Sequence, residues 1–373
     1  MHTTSFESLP AEVQEMVGPF LSQHQLTVCL RVCRAWKRMF NPSLWRDIFI
    51  DLLDHEFWWC DIVDALRANS HLIQSLGIST VFPEDRMCYF LGLDLPAFPR
   101  LTSIKVYGPC EYGSDQEFAR LLDLPSAPAG LKRVVFDTAG YSTFLFDFKL
   151  ESFNTLACHA STLEVLRIDG MTSLTSEQIN ELLCCAPRLK ELYLFGDNMV
   201  TKGNCLNARD VVQSAWVCSN IEVFACRIRN IPRPDITRDI AGWPARDHTT
   251  GYDTPQQESV ELQRRVYRQL GRLTKLRELT LGFPIDVSDY ANSLEDKEYH
   301  RQYDCLAMTL ESGLDLLKDL KDLRVVGLEE MEVYSDGDKE QDWFTKNWPK
   351  TRVSTTDYRD MEASMTSQEN TTL

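Results

Sequence analysis

A single hydrophobic pattern, apolar-x-x-apolar-x-apolar, recurs along most of the chain. It appears as Ile73/Leu76/Ile78, Leu101/Ile104/Val106, Leu131/Val134/Phe136 and Leu163/Leu166/Ile168. It continues as Leu189/Leu192/Leu194, Ile221/Phe224/Cys226, Leu276/Leu279/Leu281 and Leu323/Val326/Leu328. Alternation over so few residues predicts a short strand with one buried face. The segments between copies predict helices. Thr175-Ser-Glu-Gln178 has the form of a capping box ahead of Ile179, Leu182, Leu183 and Ala186. Asn207 is a candidate cap for a helix carrying Val211, Val212 and Trp216, and residues 258–273 predict a helix. In that helix Leu262, Val266, Leu270 and Leu273 should face the core, leaving Arg264, Arg265, Arg268 and Arg272 exposed.

The first fifty residues follow a different period. Pro10 stands where a first helical residue belongs, and Val13, Met16, Val17, Phe20 and Leu21 follow at helical spacing. Val28, Cys29, Val32, Cys33, Trp36 and Phe40 form a second stripe. Asn41-Pro42 then predicts a fresh helix start ahead of Leu44, Trp45, Ile48 and Phe49. Helices this short are not stable alone, and three of them leave apolar side chains over for a partner. The segments Leu9-Pro-x-Glu12, Val32-Cys-Arg-x-Trp36 and Pro42-x-Leu44-Trp45 resemble the F-box. That resemblance implies docking onto the Skp-type adaptor of a cullin–RING ubiquitin ligase, through Leu9, Pro10, Val13, Leu30, Val32, Cys33 and Trp36, with Leu44 and Trp45 in support.

The strand–helix period resembles leucine-rich repeats, and Leu183-CCAP-Arg188-Leu-Lys-Glu-Leu192 is similar to the cysteine-containing repeats of F-box receptors. Its cysteines would be small buried hydrophobes. Copies start 26 to 55 residues apart, and the asparagine expected after each strand is mostly missing. The expected fold is therefore α/β: a three-helix F-box at 5–50, a connecting helix at 51–70 in which Trp58 and Trp59 pack inward, and an irregular leucine-rich-repeat solenoid at 71–353. Short parallel strands should line its concave face and helices its convex face. Insertions are expected near 230–257 and 286–318, the second becoming helical through Leu306, Leu310, Leu314 and Leu317. Trp343, Phe344 and Trp348 should close the end, ahead of a disordered tail at 354–373.

Composition narrows the function. A net charge of −16, with 21 acidic against 10 basic residues from Asp286 onward, disfavours a nucleic-acid partner. No apolar run approaches membrane-span length. MHTTSFESLP lacks the basic and apolar regions of a secretory leader, so the 12 cysteines are expected as thiols in the cytoplasm or nucleus. No CxxC pair, phosphate loop, HExxH, GxSxG or dinucleotide fingerprint occurs. Neither a cofactor nor a metal is expected, and nothing recommends an enzyme.

Two readings remain. In one the chain is the substrate-recognition subunit of an SCF-type ligase; in the other it is a leucine-rich-repeat interaction scaffold without a ligase role. In either, side chains flanking the last apolar positions of each strand should point away from the core. Those are Lys105, Tyr107, Arg133, Asp137, Arg167, Asp169, Tyr193, Phe195 and Arg227. Arg233, Trp243, Arg246 and Tyr252 could close over one edge from the 230–257 insertion. Thermal unfolding should be the same with and without a strong thiol or a chelator; a large loss of stability in reductant would overturn the thiol assignment.

Overall fold

The computed structural model describes residues 10, 13, 16–52, 59–79, 90, 93–108, 114–125, 130–137, 148–170, 172–195, 204–233, 255–282, 305–328 and 338–354. The chain divides into two compact units, Met1–Leu163 and Glu164–Leu373.

The first unit opens with a 3-10 turn, Gly18–Phe20, and two helices, α1 (Gln23–Cys29) and α2 (Arg34–Arg46). Ser22 starts α1 with a capping box: its hydroxyl accepts from the Gln25 N–H while Gln25 accepts from the Ser22 N–H. The predicted single stripe from Val28 to Phe40 is instead split at Leu30–Cys33, and the Cys33 sulfur caps α2 by accepting from the Trp36 N–H at 3.4 Å. Asn41-Pro42 does not restart the chain. Pro42 lies inside α2, where the lost backbone bond is tolerated because the helix is held by packing around buried Phe40. Gly18 makes that packing possible, since a Cβ there would stand 2.0 Å from the Ser43 Oγ.

The expected helix continuation through Ile48 and Phe49 is a strand, β1 (Asp47–Asp51). It pairs in parallel with β2 (Ser75–Ser79), followed by β3 (Ser103–Tyr107) and β4 (Arg133–Asp137). Register lines up Ile48, Leu76, Ile104 and Val134, then Ile50, Ile78, Val106 and Phe136. Helix α3 (Trp59–Asn69) precedes β2; α4 (Asp115–Leu122) and α5 (Leu150–Ala157) follow β3 and β4. Phe118, Phe136 and Phe148 meet edge-on and tilted, with centroids 5.4 to 6.4 Å apart, and fill the space between helix and sheet.

In the second unit β5 (Val165–Asp169), β6 (Glu191–Phe195), β8 (Val223–Arg229), β9 (Glu278–Thr280), β10 (Val325–Gly327) and β11 (Arg352–Ser354) form successive parallel pairs, and β7 (Cys205–Asn207) pairs with β8. All eight strands of the sequence pattern are present. Thr175 caps α6 (Ser176–Cys185) with the predicted box, and Asn207 caps α7 (Ala208–Gln213). Trp216 lies beyond α7, stacked on Phe224 and donating to Asn180 at 2.9 Å. Buried Asn204, at φ +55°, donates to the Gly170 carbonyl at 2.7 Å and so ties two repeats together.

Helix α8 (Gln256–Leu270) carries a buried polar stripe that its leucines did not advertise. Gln263 accepts from the Ala307 N–H, and Tyr267 donates to the Ala307 carbonyl, both at 2.8 Å. These bonds hold residues 306–308 out of a helix, residues 310–313 turn, and only Leu314–Leu317 forms a turn of 3-10 helix, so the helix expected through Leu306 and Leu310 is absent. Gly313, at φ +117°, starts that turn against Tyr267 and Arg264. Helix α9 (Asp338–Asn347) and buried Trp348 pack Trp343, Phe344 and Trp348 as a triad. No described helix is long and apolar enough to cross a membrane.

Asp115 carries one helix junction. Its carboxylate accepts from the N–H groups of Lys149, Glu151 and Ser152 at 2.8 to 3.0 Å, supplying α5 with the cap Lys149 lacks. Burial pushes its acid strength toward the neutral form, but the bonds to Ser152, Lys149 and Glu151 outweigh it and lower the pKa below 3.8. A depressed folded pKa stabilises above the unfolded value and is lost as pH falls through the folded one. Asp115→Asn should therefore cost about 1 kcal/mol near neutrality. The difference from wild type should shrink below roughly pH 4. Melting temperatures of both proteins across pH 3 to 7 check the sign.

Candidate functional site

Two surfaces collect the residues singled out by sequence. On the first, Pro10, Val13, Val32 and Cys33 are exposed, and Leu9 lies outside the described residues. Leu30, Trp36, Leu44 and Trp45 are half-buried. Trp36 meets Phe40 edge-on at 5.5 Å, which ties it to the small internal core as well as to the surface. The sequence reading missed the most exposed members. Phe20 is 84% exposed, Met16 65% and Val28 52%, beside Val32, which was named, at 58%. Phe20 and Met16 had been placed on one helical stripe, but the turn at Gly18-Pro19 ends that period at Phe20. Exposed large apolar side chains drawn from one short segment are candidates for an interaction site.

Residues 6–51 match the F-box-like family model. This F-box-like segment contains every residue of the exposed apolar group. It reaches through β1, so the domain boundary expected at 50 falls inside the parallel ladder. No curated protein matches the chain in sequence. A solved structure described as the Rad7 and Elc1 complex in yeast is similar at 10% identity and a TM-score of 0.38, over 92% of this chain and 87% of that one.

The remaining residues lie, in each unit, on the sheet face opposite its core. In the first unit Lys105, Tyr107 and Asp137 are half-buried and Arg133 is exposed. Phe49, 54% exposed, belongs to the same face and escaped notice because its segment read as helix. In the second unit Arg167 and Asp169 are half-buried, and the Arg167 guanidinium stacks on Tyr193 at 3.9 Å from the ring centre. Tyr193, Phe195 and Arg227, expected to stand open, are buried. Tyr193 and Phe195 pack edge-on at 5.2 Å in a cluster with Ala225, so their apolar area is already removed from water. Arg233 is buried as well and donates to the Cys305 carbonyl at 3.2 Å, a structural bond between loop segments. Trp243, Arg246 and Tyr252 lie outside the described residues.

The cysteines divide. Cys158 and Cys185 are exposed and Cys184 half-buried, because they lie on helix surfaces and not on the core stripe. The burial expected of Cys184 and Cys185 is found instead at Cys218 and Cys226, and burial pushes the Cys218 thiol up to about 12. Among the described residues no group of acidic, histidine and cysteine side chains is placed to hold a metal ion.

Burial separates structural from surface aromatics. Phe195→Ala should cost about 3 kcal/mol of stability. Arg167→Ala should stay within about 1 kcal/mol. Denaturant unfolding of the two variants measures the contrast, and equal costs would overturn it.

Proposed function

We propose that this chain is the substrate-recognition subunit of an SCF-type ubiquitin ligase, acting in the cytoplasm or nucleus. Its F-box-like segment docks on a Skp-type adaptor, and its leucine-rich repeats bind a protein target. The observation that carries this reading is the apolar surplus within residues 6–51: Val13, Met16, Phe20, Val28 and Val32 stay in water while Leu26 and Phe40 form the local core. A partner helix laid across those side chains would gain hydrophobic stabilisation that the isolated chain forgoes. The chain itself performs no bond chemistry in this reading. It raises the rate of ubiquitin transfer by holding the target beside a charged enzyme elsewhere in the ligase.

Point substitutions test this better than truncation. Deleting residues 1–50 would remove nearly all of β1 and bare the edge of β2, which confuses lost docking with a damaged sheet. Phe20→Ala with Val32→Ala removes two exposed side chains and should leave melting temperature unchanged. Adaptor affinity measured by calorimetry should fall about thirtyfold or more. Undiminished adaptor binding overturns the docking assignment. Recovery of the adaptor without any cullin would favour the scaffold reading.

A further inference from the structure

The strand entries of the first unit gather positive charge that the fold leaves unanswered. Arg100 and Lys132 lie just ahead of β3 and β4, Arg133 opens β4, and Lys105 stands in the middle of β3. Arg100, Lys132 and Arg133 are exposed and Lys105 is half-buried. Register brings them together. The Lys132 N–H donates to the Thr102 carbonyl, Arg133 sits opposite Ser103, and Lys105 sits opposite Val135. Strand spacing and rise place the Cα atoms of Lys105 and Arg133 about 8 Å apart. At that separation like charges still repel at physiological salt.

None of the four side chains has an ion pair or a hydrogen bond. Residues 100–107 and 130–136 contain no carboxylate. In the row of Arg133 the far residue, Asp47, is already paired with Arg46 at 2.9 Å. Asp137 bounds the patch at the other end of β4 and has interactions of its own. Ser103, between Ser75 and Arg133 in the ladder, has a buried hydroxyl without a hydrogen-bond partner. Like charges on neighbouring strands destabilise a sheet, and a half-buried ammonium gives up hydration for nothing in return. A fold that breaks its own local rules in one place does so where something else is served.

We propose that Lys105, Lys132 and Arg133, with Arg100 at the rim, seat an acidic stretch of a bound polypeptide. Side chains two apart on an extended segment share one face and stand about 7 Å from each other. Two such carboxylates can each meet one of Lys105 and Arg133, the second bidentately. Phe49, 54% exposed and tilted against Tyr107 at 5.9 Å, continues the same face toward β1. It offers apolar surface that a polypeptide uses and a simple anion does not. A nucleic-acid strand would find the same cations, but a chain of net charge −16 repels a long polyanion, whereas a short acidic segment meets only the local field.

The inference rests on the chain being a target receptor, but its readout needs no adaptor. A phage-displayed library of random peptides is selected on the full-length chain, on Arg133→Gln and on the double variant Lys105→Met with Arg133→Gln. Aspartate and glutamate should be enriched about fivefold or more over the unselected library on wild type. That enrichment should diminish on the single variant, reach background on the double, and weaken in high salt. Both variants should melt no lower than wild type, because each substitution removes a repelling charge and breaks no bond. A lowered melting temperature would mean that the cations serve the fold, and overturns the proposal. So does an absence of acidic enrichment on wild type, as a site demanding phosphate would give, or enrichment that survives the double substitution. A short single-stranded RNA that binds more tightly than the selected peptides in fluorescence anisotropy overturns it as well. Adaptor affinity measured on the same proteins tells the two failures apart: lost adaptor binding with retained acidic preference sinks the docking reading and leaves the seat intact.

Discussion

Ladder register is the constraint on which both units depend. Each strand supplies only three to seven residues, so the buried face is assembled from one or two side chains per repeat. Leu166, Leu192, Phe224, Leu279 and Val326 form one continuous line only because each sits opposite the next. A slip of one residue would turn the whole line to water. The apolar residue that opens each pattern, from Ile73 to Leu323, lies just ahead of its strand and is buried too, so it locks the register from the loop side. Side-chain bonds reinforce those loops. His159 accepts from the Leu131 N–H at its Nδ1 and donates from Nε2 to the Leu122 carbonyl, fixing the neutral tautomer with the proton on Nε2. Thr162 donates to the Leu131 carbonyl at 2.8 Å.

That regularity is why so much of the fold was legible. The repeated pattern named eight strands because burial on one face leaves a local signature at every copy. Strands β1, β7 and β11 left none strong enough. Asp47–Asp51 alternates Ile48 and Ile50 correctly, yet it follows a helical run without a turn residue between. What makes it a strand is pairing with Ser75–Ser79, a contact that no local window contains. The leucines at 306, 310, 314 and 317 erred the other way: helical spacing with only a 3-10 turn at its end, because Gln263 and Tyr267 claim the backbone of Ala307.

The surfaces were less legible, for a physical reason. Spacing says which face of a strand a residue occupies, not what covers that face. Tyr193, Phe195 and Arg227 stand on the predicted side and are buried there. Phe20 and Met16 were read only as members of one helical stripe and are the most exposed apolar groups described; for Phe20, a two-residue break at Gly18-Pro19 resets the phase of the helix. A hydrophobic count cannot separate these cases, since an aromatic ring carries the same residue type into a core cluster and onto a docking face.

In the receptor role proposed for this chain, strand β1 would decide how position is transmitted. Arg46 ends α2 and Asp47 begins the sheet, with no intervening linker; the Arg46 carbonyl accepts from the Gln74 N–H, and Gln23 in α1 donates to the Asp47 carbonyl. A flexible tether would let cargo wander through a broad volume, so that any reachable lysine could be modified. Here α2 runs straight into the sheet, so in the proposed role cargo on that sheet would keep a fixed bearing to whatever grips the helices. Selection among a target's lysines would then be a matter of geometry and reach, set when the first strand zips onto the second.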